Sequence, residues 1–152
     1  CWDLVDAVKF LGKDNEGRLI IIEVVQDHET YRIINLYCPN GEGERIKFLK
    51  QLWKWCSGVK NCFLVGDFNI CLTKMDRAQQ ERHKKDASRT ELINLMEQNS
   101  LVDIWRILHP NKCQFSRRQV VLGELKQVFL ALLHPRVWAG TVEAKRPLET
   151  SN

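Results

Sequence analysis

Two stretches of this chain are apolar with little alternation, residues 18–25 (RLIIIEVV) and residues 31–38 (YRIINLYC). Each has the length of a strand, is rich in β-branched side chains and is bounded by turn residues. The residues between them, Gln26 to Thr30, are polar, so the pair predicts an antiparallel hairpin with a short polar loop. Asp14-Asn15-Glu16-Gly17 predicts a turn before the hairpin, and Leu4 to Leu11 an earlier strand. Cys38-Pro39-Asn40-Gly41 stops the second strand, because Pro has no N–H for a ladder and Asn and Gly favour turns.

The period then changes. Ile46, Leu49, Trp53 and Cys56 recur at helical steps, with Lys47, Lys50 and Lys54 on other faces. This predicts an amphipathic helix from Glu44 to Ser57, ended by Gly58. Cys62-Phe63-Leu64-Val65 is a continuous apolar run, which after a crossover helix predicts a strand buried on both faces. Residues 73–90 are polar and predict a long loop. Ser88-Arg89-Thr90-Glu91 has capping-box spacing, and a helix starting there buries Leu92, Ile93 and Met96 before Asn99-Ser100 ends it. Leu101 to Trp105 predicts another strand, and His109-Pro110-Asn111 a turn. Up to Ser116 this is an α/β order. Residues 117–133 then fit a helix through Val121, Leu125, Val128 and Leu132, and residues 135–152 show no period. The tail from Arg117 is therefore expected to pack poorly or to form a stray helix, with no strand to add to the preceding elements.

The length of 152 residues suits one domain, and 44% apolar with 28% charged residues excludes a disordered chain. The net charge of +4 is uneven: residues 1–116 carry 17 basic and 16 acidic groups, residues 117–152 carry 6 and 3. Net charge alone therefore does not mark a nucleic-acid binder. The longest apolar runs fall far short of the roughly 20 residues that span a bilayer, and no secretory signal opens the sequence, so no membrane partner is expected. The six cysteines show no C-x-x-C spacing and lie mostly in apolar runs. They read as reduced, mostly buried thiols of an intracellular protein. With Cys1 first and no Met before Met75, the sequence reads as a fragment.

The most informative chemistry is Leu64-Val65-Gly66-Asp67-Phe68-Asn69. Residues 63, 65, 67 and 69 share one face of an extended strand, which aims Asp67 and Asn69 into one cleft at its carboxyl end. A carboxylate there orients a water or ligates a cation. A neighbouring amide donates to a phosphate oxygen without adding negative charge. Metal-assisted attack on phosphorus uses that combination. The same Asp-x-Asn is also an ordinary turn sequence. Tyr37, at the end of its own strand, either donates its hydroxyl to the same phosphate or keeps it in water at the rim of the core.

In chain order come Gly17-Arg18 before a strand, Ile34-Asn35-Leu36-Tyr37-x-Pro39-Asn40, a helix, and Gly66-Asp67-Phe68-Asn69. Then follows Leu101-Val102-Asp103-Ile104-Trp105-Arg106-x-x-His109-Pro110. Over about residues 4–116 these blocks resemble the endonuclease/exonuclease/phosphatase superfamily. The last block resembles its apurinic-endonuclease-like branch, in the form carried by non-LTR (LINE-type) retrotransposon polyproteins. The resemblance implies an α/β (α+β) fold, a four-layer αββα sandwich of two packed sheets flanked by helices. It is present here in part, with residues 1–116 as the partial domain and residues 117–152 as a non-matching tail. It implies Mg²⁺-dependent cleavage of a DNA phosphodiester. Asp67 would activate the attacking water, Asn69 would hold the scissile phosphate and the Asp67 carboxylate, and Tyr37 would hydrogen-bond the phosphate. Asn40 would shape the adjoining loop and, with Arg77, Lys84 and Lys85 of the basic stretch after Asn69, would lie near DNA. That stretch also reads as a solvated loop, since Asp76, Glu81, Asp86 and Glu91 offset its charge.

The departures matter as well. The family's metal-binding Glu has no counterpart in context, no Asp follows Asp103, and the only later histidine besides His109 is His134, preceded by Leu133 rather than Asp. The metal ligands are thus not located. Trp53, Trp55 and Trp105 read either as stacking platforms or as core residues. His109 and Cys113 are too few for a zinc site. The expected function is part of a DNA phosphodiesterase, inactive alone and nuclear if functional. The alternative is a decayed or mis-assembled retroelement remnant with no enzymatic role. A phosphatase or phospholipase is disfavoured by the Leu101 to Pro110 block. Oligomeric state is not set by the sequence.

Overall fold

The two apolar runs pair as expected and lie within a six-stranded sheet. The structure, a computed structural model, describes residues 7–77, 85–113, 117–119, 124–126 and 129–133. Strand β1 (Ala7–Lys13) pairs antiparallel with β2 (Leu19–Gln26), and β2 with β3 (Glu29–Tyr37). Helix α1 (Glu42–Cys56) then crosses to β4 (Cys62–Asp67), which runs parallel to β3. A 3-10 turn (Lys74–Asp76), helix α2 (Ala87–Gln98), the short β5 (Val102–Asp103) and helix α3 (Ile104–Leu108) follow. Last come β6 (Arg117–Gln119), β7 (Glu124–Lys126) and β8 (Phe129–Leu133). The large sheet has the order β1-β2-β3-β4-β8-β5, and β6 and β7 form a separate ladder. Among the described residues no helix is long and apolar enough to cross a membrane.

One row across the sheet explains why it forms. Ile21, Ile34, Leu64 and Leu132 are successive register partners on β2, β3, β4 and β8, and each is 0% exposed. Each contributes on the order of 2 kcal/mol relative to exposure. Helix α1 packs Leu49, Leu52 and Cys56 into the same core, and α2 adds Leu92 and Leu95.

This row corrects the expectation for the tail. Residues 129–133 are not helical. They pair antiparallel with β4, so that Phe129 lies opposite Asp67. The local sequence Phe-Leu-Ala-Leu-Leu favours a helix, but the exposed edge of β4 supplies backbone partners that a helix would leave unpaired. Four smaller corrections follow. The hairpin loop is only Asp27-His28, both at positive φ (50° and 64°), the turn whose twist matches the strands. Helix α2 is capped by Asp86, whose carboxylate accepts from Ser88 N at 2.9 Å, rather than by Ser88, and Ile93 is exposed. The buried face of α1 is Arg45, Leu49, Leu52 and Cys56, which turns Trp53 outward. The strand expected from Leu101 shortens to Val102–Asp103, because the Asp103 carboxylate accepts from Arg106 N and starts α3.

The opposite face of the sheet is apolar as well. Phe10, Ile22, Ile33, Phe63, Leu133 and Val102 form a second row, one residue from each strand. This face is covered unevenly: at the edge strand Val8 is 58% exposed and Phe10 57%, while Ile22, Ile33, Phe63, Val65, Val102 and Leu133 are half-buried. The run 62–65 is therefore apolar on both sides, fully buried on one and half-buried on the other.

Candidate active site

Tyr37 and Asp67 end β3 and β4 and are register partners. Partners in a parallel pair project to the same side. Both line a cavity of about 440 Å³ with Lys13, Arg18, Ile20 and Asn35. Gly66 makes this approach possible. Its φ is 136°, and a Cβ there would stand 2.0 Å from the Leu36 carbonyl oxygen. Only glycine lets the β4 backbone come that close.

Asn69 adopts a left-handed φ of 51°, which Asn tolerates better than most residues. That turn brings its backbone N–H to Asp67 Oδ1 at 2.9 Å. Its side-chain Nδ2 donates to the Cys38 carbonyl at 2.7 Å, and Cys38 N donates to the Asp67 carbonyl at 2.8 Å. The segments after β3 and β4 are thereby tied together around the carboxylate. Burial pushes the Cys38 thiol up to about 12, so it stays protonated.

Arg45 supports this arrangement and was missed by the helical pattern. It is 8% exposed and reaches Ser88 Oγ at 2.9 Å, Asp86 Oδ2 at 3.2 Å and the carbonyls of Pro39 and Asn40. One guanidinium thus joins α1, the α2 cap and the loop after Tyr37. On the far side, Asp76 is 1% exposed and holds Thr73 N at 2.7 Å, and Arg106 pairs with its other oxygen. This pins the loop that leaves Asn69 to the Leu101–Pro110 block. Nothing in the local periodicity marks a buried Arg, since burial here depends on partners far away in sequence.

Of the other residues singled out in the sequence, Asn40 is exposed and presents its carbonyl to Arg45. Arg77 is half-buried and closes the 3-10 turn through its backbone N–H, and Lys85 is exposed. None of these three lines the cavity. Lys84 lies outside the described residues. The cavity instead brings in Lys13 and Arg18, which the sequence did not single out as side chains of the site. Trp55 packs against the core, and the Trp105 and His109 rings meet at a tilt of 58° with centres 4.1 Å apart.

Among the described residues Asp67 is the one carboxylate lining the cavity, and they contain no group of three or more potential metal ligands. Magnesium demands near-octahedral oxygen coordination and keeps waters when protein ligands are few. The described residues therefore offer magnesium one carboxylate, Asp67, and leave the rest of its shell to waters and substrate oxygens.

No family model matches the sequence. It is 32% identical over 114 residues to an uncharacterized 149 kDa protein of transposon TX1 from Xenopus laevis, covering 73% of this chain and 9% of that protein. It is 31% identical over 123 residues to DNA-(apurinic or apyrimidinic site) endonuclease 2 of Schizosaccharomyces pombe, covering 65% of this chain and 22% of that one. The chain thus spans less than a quarter of these relatives' lengths. Among solved structures, the 3′ phosphatase NExo from Neisseria, bound to a product DNA hairpin, matches with a TM-score of 0.66 at 20% identity. That match covers 90% of this chain and 61% of the other. The endonuclease domain of TRAS1, a telomere-specific non-LTR retrotransposon, matches with a TM-score of 0.64 at 11% identity, covering 90% and 58%. At these identities the structural matches speak for the fold.

Proposed function

We propose, from the premise that this chain belongs to the endonuclease/exonuclease/phosphatase superfamily on its apurinic-endonuclease-like branch, that its Tyr37–Asp67 cavity receives a DNA phosphodiester as part of a retrotransposon-type endonuclease. The observation that carries this reading is the pairing of a phenol and a carboxylate at the ends of two parallel strands, facing one cavity. The Asn69 N–H holds Asp67 Oδ1, which leaves Oδ2 to accept from a water and orient it toward phosphorus. The Tyr37 hydroxyl donates to a non-bridging phosphate oxygen and steadies the charge that grows there. Asn69 is a positioning residue for the carboxylate. Mg²⁺, the cofactor implied by the family, would supply Lewis-acid polarisation of the phosphoryl group when bound.

One carboxylate among the described residues holds that ion weakly, since it prefers additional oxygen ligands, so the 152-residue chain is expected to bind duplex DNA and to nick it poorly or not at all. The test incubates the purified chain and its Asp67→Ala variant with supercoiled plasmid at fixed Mg²⁺. Neither should relax the plasmid above background. Robust nicking by the parent, lost in Asp67→Ala, would overturn the partial-site reading. Failure of the parent to bind duplex at low salt would overturn the DNA reading itself.

A further inference from the structure

We infer that Arg18 and Lys13 form a phosphate-binding rim on the cavity, each taking one backbone phosphate of the nucleic-acid strand whose neighbouring phosphodiester lies at Tyr37 and Asp67. The inference rests on the proposed reading of the cavity and adds two binding residues to it. Both side chains line the cavity, from either side of the turn between β1 and β2.

The turn is built to fix Arg18. The Asp14 carboxylate accepts from Arg18 N at 2.8 Å and from Leu19 N at 3.1 Å, and the Arg18 carbonyl accepts from Tyr37 N at 2.8 Å. Its guanidinium carbon stands 5.9 Å from the centre of the Tyr37 ring. The backbone of the residue is thus held against the site from both sides, and its side chain lies over the phenol. Glu16 pairs with Nε at 2.9 Å, which leaves the two terminal nitrogens without a partner among the described residues. Those nitrogens present a planar pair of donors, the geometry that suits two oxygens of one phosphate. Lys13 makes no ion pair among the described residues and adds a second, more mobile cation.

Electrostatics gives the pair a reason. Asp67 places a negative charge in a cavity proposed to admit a polyanion. Two cations on the rim offset that repulsion.

The test measures duplex DNA affinity against salt concentration for the full chain and for Arg18→Gln, Lys13→Gln and the double variant. Each neutralised phosphate contributes about 0.9 to the slope of log affinity against log salt. Each single variant should therefore flatten the slope by about 0.9 and the double variant by about twice that. Between about 50 and 200 mM salt, each lost contact removes roughly a threefold fall in affinity. Arg18→Lys should keep the slope while binding more weakly, since the charge remains and the planar fork is lost. Thermal melting of each variant separates a folding defect from a binding one. Parental slopes in well-folded Arg18→Gln and Lys13→Gln would overturn this inference and leave the DNA reading standing. No binding by the parent would overturn both.

Discussion

Substituting alanine at Gly66 should cost far more than the same change at Gly17, although both glycines have positive φ. Gly17 sits at φ 69° with nothing within 4 Å of an added Cβ. Gly17→Ala therefore isolates the conformational term, about 1 kcal/mol. At Gly66, with φ 136°, the added Cβ would stand 2.0 Å from the Leu36 oxygen and 3.0 Å from its carbon and nitrogen. The obstruction is backbone of the neighbouring strand, so no rotamer relieves it. Strands β3 and β4 must part by about 1 Å or more to restore ordinary contact. That stretches the two or three nearest ladder hydrogen bonds beyond useful length, at about 1 kcal/mol each. With the conformational term the total is about 4 kcal/mol. Urea unfolding of the parent and both variants measures it. At a slope of about 1.5 kcal/mol/M, the midpoint should fall by about 2.5 M for Gly66→Ala and by under about 1 M for Gly17→Ala. If the two variants lie within about 1 kcal/mol of each other, the close β3–β4 approach at the site is wrong.

Arg45→Met should destabilise by about 3 kcal/mol, because it removes the ion pair to Asp86 and takes the donor from the Pro39 and Asn40 carbonyls and the Ser88 hydroxyl. Arg45→Lys should recover less than half, and a loss below about 1 kcal/mol in urea unfolding would remove Arg45 from its supporting role. The pH dependence of unfolding should carry two opposite signatures. Burial works against the charged Asp86, but Ser88 and Arg45 outweigh it and hold the carboxyl low. It thus stabilises the fold above about pH 4 and loses that contribution as pH falls through its folded value, so Asp86→Asn should flatten the acid limb. Burial raises Asp103, so its protonated form favours the fold and the contribution is lost as pH rises through its folded value. Asp103→Asn should therefore be more stable than the parent at neutral pH and should lose that advantage in acid. Among the described cysteines, Cys113 is exposed while Cys38, Cys56, Cys62 and Cys71 are buried. Alkylation followed by peptide mapping should label Cys113 promptly and those four only on unfolding, and prompt labelling of Cys38 would contradict its position in the core.

The parts of the fold visible in the sequence are those fixed by dense local signals. The apolar runs of β2, β3 and β4 need a sheet whatever surrounds them, and Pro39 and Gly41 force the turn into α1. The pairing of Tyr37 with Asp67 follows once β3 and β4 are parallel, because each residue ends its strand. What the sequence hides depends on distant partners. Arg45 looks like one more charge on a helix until Asp86 and Ser88, more than forty positions later, come against it. Residues 129–133 look helical until the edge of β4 supplies their ladder. Lys13 and Arg18 flank an ordinary turn until β3 brings Tyr37 beside them.

The second apolar row, from Phe10 through Ile22, Ile33 and Phe63 to Leu133 and Val102, has a consequence for how this sequence drifts. Within the described structure Phe10 is 57% in water and the other five are half-buried. A polar replacement costs little at Phe10 and less at the half-buried five than at Ile21, Ile34, Leu64 or Leu132, where each would disrupt the core. The two rows interleave residue by residue along the same strands, so they share one mutational supply and differ only in what removes the mutants. Independently inherited copies of this sequence therefore carry their own record. If the second row stays as apolar as the first, something has covered it throughout their history. If it has turned to Thr, Lys and Glu while the first row stayed intact, that face has been wet for as long as the copies have diverged.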